Sequence, residues 1–145
     1  MEIYTVGLAG RSASNFFGVL SDASIGRVLD TRLNNTSQLS GFSKKSDLEF
    51  FLRSLIGTDY KHELLLAPTE QLLKAYKRRD LTWDEYARRY VALLAERQIE
   101  DVLSTDSFLV PTVLLCAERK PDHCHRRLAA EYLVEEWPDM LIRHL

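Results

Sequence analysis

The chain has 145 residues, 46% of them hydrophobic and 28% charged, with a formal net charge of -2. That length predicts one domain over residues 1–145 with a single sizeable core, and the charge balance excludes a surface coated in positive charge while leaving room for a local basic patch. No apolar run approaches the ~20 residues that span a bilayer, so no membrane partner is expected.

Residues 2–6 predict a strand that stops at Gly7. The glycine turn over 7–12 leads into a helix carrying Phe16, Phe17, Val19 and Leu20, with Ser12 or Ser14 as its cap. Residues 27–30 predict a second strand, ending in Asp30-Thr31-Arg32. The polar connection over 33–41 has strong turn chemistry. Ser43 or Ser46 starts the next helix, with Leu48, Phe51, Leu52 and Leu55 on its apolar face and Gly57 as its stop. A third strand is expected over 60–66 and a helix over 69–79. Thr82-Trp83-Asp84-Glu85 is a capping box that opens an amphipathic helix through Tyr86, Tyr90, Leu93 and Leu94. Residues 111–116 predict the fourth strand, Pro121 to Glu136 the last helix, and 140–145 a fifth strand. No repeat, low-complexity tract or linker interrupts this order.

Strands alternating with helices predict an α/β fold: a single three-layer domain with a mostly parallel sheet of about five strands and helices on both faces. All parallel strands present their carboxyl ends on one edge, where ligands of open α/β folds bind. Three segments meet that edge: Gly7 to Arg11, Asp30 to Arg32, and the run Cys116-Ala117-Glu118 with His123-Cys124-His125-Arg126. Arg11, Asp30, Arg32 and Arg126 are the candidate anion-binding residues, aided by the N–H groups of a helix opening near Pro121. The competing structural reading pairs Asp30 with Arg32, and Glu118 with Arg126, as ion pairs that fix loops. Asp30 and Arg32 share a face only if the chain turns at Thr31.

Both cysteines of the chain lie in this region. Cys124, in the first turn of the last helix and beside His125 and Arg126, gains thiolate character and is the candidate nucleophile, with Glu118 or His125 as acid or base. A phosphatase loop is excluded, because neither cysteine has an arginine after five intervening residues. Cys116, Cys124 and His125, or His123 or His62 in place of His125, form an alternative zinc-type donor set, although the cysteine spacing is unlike that of zinc knuckles. Otherwise no cofactor is expected. Cys116, closing an apolar strand, is expected to be buried and Cys124 to be the more accessible thiol. His62 reads as a satisfied core histidine, and the Trp83, Tyr86 and Tyr90 stripe as core. The opening residues lack the basic and long apolar segments of a signal peptide. Two cysteines without an export signal predict reduced thiols and a cytoplasmic protein.

Thr5-Val6-Gly7 with Arg11, Asp30-Thr31-Arg32, Phe42, Tyr60-Lys61-His62, Leu114-Leu115-Cys116-Ala117-Glu118 and Cys124-His125-Arg126-Arg127 resemble the family catalogued as domain of unknown function 488, from Ile3 to His144. The stretch Arg32-Leu33-Asn34-Asn35-Thr36-Ser37-Gln38-Leu39 is similar to one subgroup. Many members carry His-Ser after the first-strand glycine, where this chain has Leu8-Ala9. The resemblance implies a compact prokaryotic α/β domain and singles out Asp30, Arg32, Cys116, Glu118, Cys124, His125 and Arg126. It names no substrate.

Three functions are compatible with these residues. The first is a small enzyme whose rim site holds an anionic, phosphate-bearing ligand such as a nucleotide or a nucleic-acid end. The second is a nucleic-acid-binding module without catalysis, whose expected basic stripe with interleaved aromatics is absent here. The third is a metal-binding Cys/His domain. The first predicts that Arg32, Glu118 and Arg126 approach one another at the carboxyl edge of the sheet. Oligomeric state is not legible in the sequence.

Overall fold

The computed structural model describes residues 1–36 and 41–145. Its sheet has five strands, all parallel, in the order β3-β2-β4-β1-β5. The strands are β1 (Glu2–Gly7), β2 (Arg27–Asp30), β3 (Asp59–His62), β4 (Thr112–Cys116) and β5 (Leu141–His144). The helices are α1 (Ala13–Asp22), α2 (Lys45–Ile56), α3 (Glu70–Lys77), α4 (Trp83–Glu96), α5 (Ile99–Val102) and α6 (His125–Glu136).

Alternation along each strand divides the core into two layers. Tyr4, Val6, Val28, Val113 and Leu115 face α1 and α2, where Phe16, Phe17, Leu20, Leu48 and Leu52 close the layer. Ile3, Leu29 and Leu114 face the other side, packed against Tyr86, Tyr90 and Leu94 of α4 and Leu128, Ala129 and Leu133 of α6. Because β4 is buried on both faces, its sequence is a continuous apolar run rather than an alternating one.

Local chemistry sets the helix starts. Ser12 accepts from the Asn15 N–H, Thr69 accepts from that of Leu72, and Thr82 and Glu85 form the expected reciprocal box. At α2 neither predicted serine caps; Lys44 occupies the position without a side-chain bond.

Two expected boundaries are corrected. β3 ends at His62 rather than running to residue 66: the Glu63 N–H donates the last rung to the Asp30 carbonyl, and the Glu63 carbonyl and carboxylate then accept from the Leu66 and Leu65 N–H groups in a turn. The chain then turns through a 3-10 segment, Leu64–Leu66. The last helix starts at His125, not at Pro121: Cys124 N–H closes a turn onto the Pro121 carbonyl, and Cys124 is the extended N-cap residue. Residues 37–40, the second half of the predicted polar connection and part of the subgroup motif, lie outside the described residues.

Gly7 ends β1 in register with Cys116. A Cβ there would collide with the carbonyl oxygens of Glu118 and Arg119. Backbone cannot yield as a flexible side chain can, so Gly7→Ala is expected to displace the 117–120 turn and lower stability by about 1–3 kcal/mol, an overpacking cost. Chemical denaturation checks this, and an unchanged midpoint would mean the turn shifts freely.

Candidate functional site

β2 and β4 are neighbours, yet their outgoing chains leave on opposite faces: β2 leads to α2 and β4 to α6. Such a divergence opens a crevice at the carboxyl edge of the sheet. A cavity of about 170 Å³ occupies it. Arg32, Leu33 and Asn34 line it from the end of β2, and Cys116, Ala117 and Glu118 from the end of β4. His123, Cys124 and His125 border it at the start of α6, while Pro68, Leu73, Tyr76, Lys77 and Tyr86 form its outer wall. The aromatic part of that wall is continuous, with His123 against Trp83 at 4.9 Å between ring centroids and Tyr76 against Tyr86 at 4.6 Å.

The β2 side is held by a buried ion pair. Asp30 Oδ1 accepts from the Arg32 backbone N–H at 3.1 Å, a turn closed by the aspartate side chain. That turn places both side chains on one face. Arg32 then grips the carboxylate with Nε at 2.9 Å and Nη2 at 2.8 Å, and Nη2 also reaches the Ser43 carbonyl. Tyr60 donates to Asp30 Oδ2 at 2.6 Å, and Asn35 supports both groups. Burial pushes the Asp30 carboxyl up, but Arg32 and the Tyr60 hydroxyl outweigh it and hold the pKa below the usual carboxylate value. The same hydroxyl pays no such role as an acid, because burial and Asp30 push Tyr60 up. Arg32 Nη1 has no hydrogen-bond partner among the described residues, and Arg32 lines the cavity. The structural reading of Asp30 and Arg32 therefore holds, and it leaves one guanidinium nitrogen uncommitted.

The β4 side carries the thiols. His125 Nε2 lies 2.9 Å from the Thr31 carbonyl oxygen and 3.0 Å from Thr31 Oγ1. The Thr31 hydroxyl donates to the Leu115 carbonyl, so both Thr31 oxygens present acceptors to the ring. Nε2 must carry the proton, which leaves the Nδ1 lone pair of the neutral ring facing Cys116 Sγ at 3.8 Å. The Cys116 sulfur accepts from the Cys124 thiol, which lowers its pKa well below the usual thiol value against the cost of burial, and His125 and the Glu118 N–H add to the effect. Burial lowers the His125 pKa, but the neighbouring Cys116 sulfur and the Thr31 carbonyl reverse this and leave it raised. Cys124 is pushed up by its bond to Cys116 and by burial, with Arg126 opposing.

Both thiols are free and buried, Cys116 at 4% exposure and Cys124 at 2%. The expectation that Cys124 is the more accessible is thus corrected. Cys124 is the extended cap residue rather than part of the first turn, and it is buried together with His125 and Arg126. The geometry also favours Cys116 over Cys124 as the thiol with a base beside it.

Arg126 is 1% exposed and supports this arrangement from behind. Its Nη1 donates to the Glu118 carbonyl at 2.5 Å and to Cys124 Sγ at 3.2 Å, and Nη2 donates to the Arg119 carbonyl at 3.0 Å. Arg126 Nε has no partner, and among the described residues no carboxylate pairs with this guanidinium. The expected convergence of Arg32, Glu118 and Arg126 is met in part. Arg32 and Glu118 line one cavity, whereas Arg126 meets Glu118 through its carbonyl and not its carboxylate.

Arg11 lies elsewhere. Its donors go to the Gly7 and Leu145 carbonyls and to Asn15 Oδ1, and it does not line the cavity. His62 behaves as the satisfied histidine expected, donating to the Arg32 carbonyl at 2.6 Å.

Residues 12–133 match the family described as "Domain of unknown function DUF488". The chain belongs to that family. No curated protein and no solved structure matches this DUF488 chain. Of the residues expected from the sequence, the structure brings Arg32, Cys116, Glu118, Cys124 and His125 to one cavity, with Asp30 and Arg126 bonded to them; the sequence reading gave no part to Thr31, Tyr60 or Lys77. Thr31 and Tyr60 stand inside motifs already noted, but only their contacts assign them parts. Lys77 carries no sequence signal at all.

Proposed function

We propose that this DUF488 protein is a thiol-dependent enzyme that acts on a small anionic substrate at the carboxyl ends of β2 and β4. The observation that carries the reading is the Cys116–His125 pair, with Nε2 of the imidazole anchored on Thr31 and Nδ1 aimed at the sulfur. Cys116 is the nucleophile. His125 takes its proton and returns one to the leaving group. Arg32 Nη1, fixed by Asp30, and Lys77 receive the anionic group of the ligand. Glu118, exposed at the cavity mouth, is the second acid or base. A phosphate or carboxylate suits this site, and the cavity volume favours one small group or a nucleic-acid end over a duplex surface.

Alkylation of the reduced protein tests this. Cys116 is expected to react before Cys124, and iodoacetate to gain on iodoacetamide relative to their ratio with a free thiol, because the carboxylate meets Arg32. Inorganic phosphate is expected to protect Cys116 in a saturable manner. Preferential labelling of Cys124, or no gain for the anionic reagent, would overturn the assignment.

A metal-binding reading rests on a separate observation. The donor atoms of Cys116, Cys124 and His125 lie within 4.8 Å of one another, the donor set of an open zinc site with three protein donors. The Arg126 guanidinium on Cys124 Sγ places a fixed positive charge against a cation there, so the thiol reading ranks first. Elemental analysis separates the two: one zinc per chain in protein purified without added metal would replace the nucleophile by a metal centre.

A further inference from the structure

We infer that Cys116 and Cys124 work as a pair, a dithiol that reduces a small hydroperoxide and closes to a disulfide in doing so. The inference rests on Cys116 being the nucleophile, and it adds a second thiol and a substrate class to that reading.

Three features support it. Both sulfurs border the same cavity, and they belong to a group whose donor atoms all lie within 4.8 Å of one another. Cys124 is the extended cap residue just ahead of the first turn of α6. The cavity, about 170 Å³ and with Leu33, Pro68, Leu73 and Tyr86 among its lining residues, is of a size to admit a small or organic hydroperoxide. Finally, the buried Arg126 has a sulfur, not a carboxylate, as its side-chain partner. A guanidinium so placed favours a thiolate on Cys124 at the moment Cys116 ceases to be the anion of the pair.

The chemistry balances in two steps. The Cys116 thiolate attacks the distal oxygen of ROOH; the S–O bond forms, the O–O bond breaks, and Cys116 becomes a sulfenic acid as the peroxide is reduced. The leaving RO⁻ takes its proton from the His125 imidazolium and departs as the alcohol, with Arg32 facing the charge that develops on it. Cys124 then attacks the Cys116 sulfur. The S–S bond forms, the S–O bond breaks, and hydroxide leaves with the Cys124 proton as water. Two equivalents of a low-molecular-weight thiol restore the dithiol and leave as their own disulfide.

One equivalent of hydrogen peroxide added to the reduced full-length chain is the test. The expected product has lost two hydrogen atoms by intact mass and yields a Cys116–Cys124 linked peptide. In Cys124→Ser the same treatment is expected to stop at a sulfenic acid on Cys116 that dimedone traps, and thiol-dependent peroxide turnover is lost. Wild-type protein that gains two or three oxygens at Cys116, or that forms disulfides only between chains, would overturn the pairing. That outcome together with fast alkylation of Cys116 leaves the nucleophile reading standing, whereas slow alkylation removes both.

Discussion

Asp30→Ala is expected to destabilise the protein by about 3–5 kcal/mol, the cost of stranding one member of a buried ion pair. Asp30 has no exposed surface and serves Arg32, Tyr60 and Asn35 at once. Removing it leaves a buried guanidinium and a buried hydroxyl without their acceptor. For a domain of this size the loss corresponds to a melting temperature lower by roughly 10–16 °C. The charge explains most of this, so adding Arg32→Met to Asp30→Ala is expected to restore part of the stability. Denaturant titration of the single and double variants decides. A single-variant cost below about 1 kcal/mol would place Asp30 among weakly contributing surface pairs and remove the rigid anchor for Arg32.

The same contact sets an acid limit. The folded Asp30 pKa lies below its unfolded value of about 3.9. A depressed carboxylate contributes stability that is present above the unfolded pKa and is lost as pH falls through the folded one. The wild-type protein should therefore lose stability below about pH 4 more steeply than a variant in which Asp30 and Arg32 are both replaced by neutral residues.

His125→Ala is expected to slow alkylation of Cys116 at neutral pH by about 10²-fold or more, within the range for loss of a positioned base. The ring supplies the acceptor that faces the sulfur, and the anchor on Thr31 fixes its tautomer. The pH profile separates this role from a packing defect. With Cys116 held well below the ordinary thiol value, the wild-type rate falls only as pH drops through that lowered pKa. In the variant the fall is expected to move to higher pH, because one group that lowers the Cys116 pKa is gone while the largest, the Cys124 thiol, remains. A variant profile that keeps the wild-type midpoint would show that His125 only fills space against Tyr90.

Much of this was legible in the order of residues. The apolar run ending at Cys116, the short strand ending at Asp30 and the capping box at Thr82 each report local physics: burial on two faces, a change of period and a satisfied helix end. These are near-neighbour properties, so the α/β class, and the gathering of these polar residues at the carboxyl edge of the sheet, followed from sequence alone. Two boundaries did not, because short turns compete with the longer elements that the apolar pattern suggests. After His62 the Glu63 carbonyl takes the Leu66 N–H, and before His125 the Cys124 N–H closes onto Pro121.

What only the tertiary structure decided is which polar group meets which. Arg11, Arg32 and Arg126 look alike as guanidinium groups near strand ends, yet only Arg32 both lines the cavity and keeps a nitrogen uncommitted. Cys116 and Cys124 were expected to differ in exposure, yet both are buried, because access depends on what packs around a helix start and not on the local sequence there. The assignment of Cys116 as the activated thiol depends on Thr31, which comes from β2 and fixes the proton of an imidazole on α6. Hydrogen bonds are directional and hold over only a few ångströms, so chemistry that depends on them becomes definite once the sheet has placed β2 beside β4.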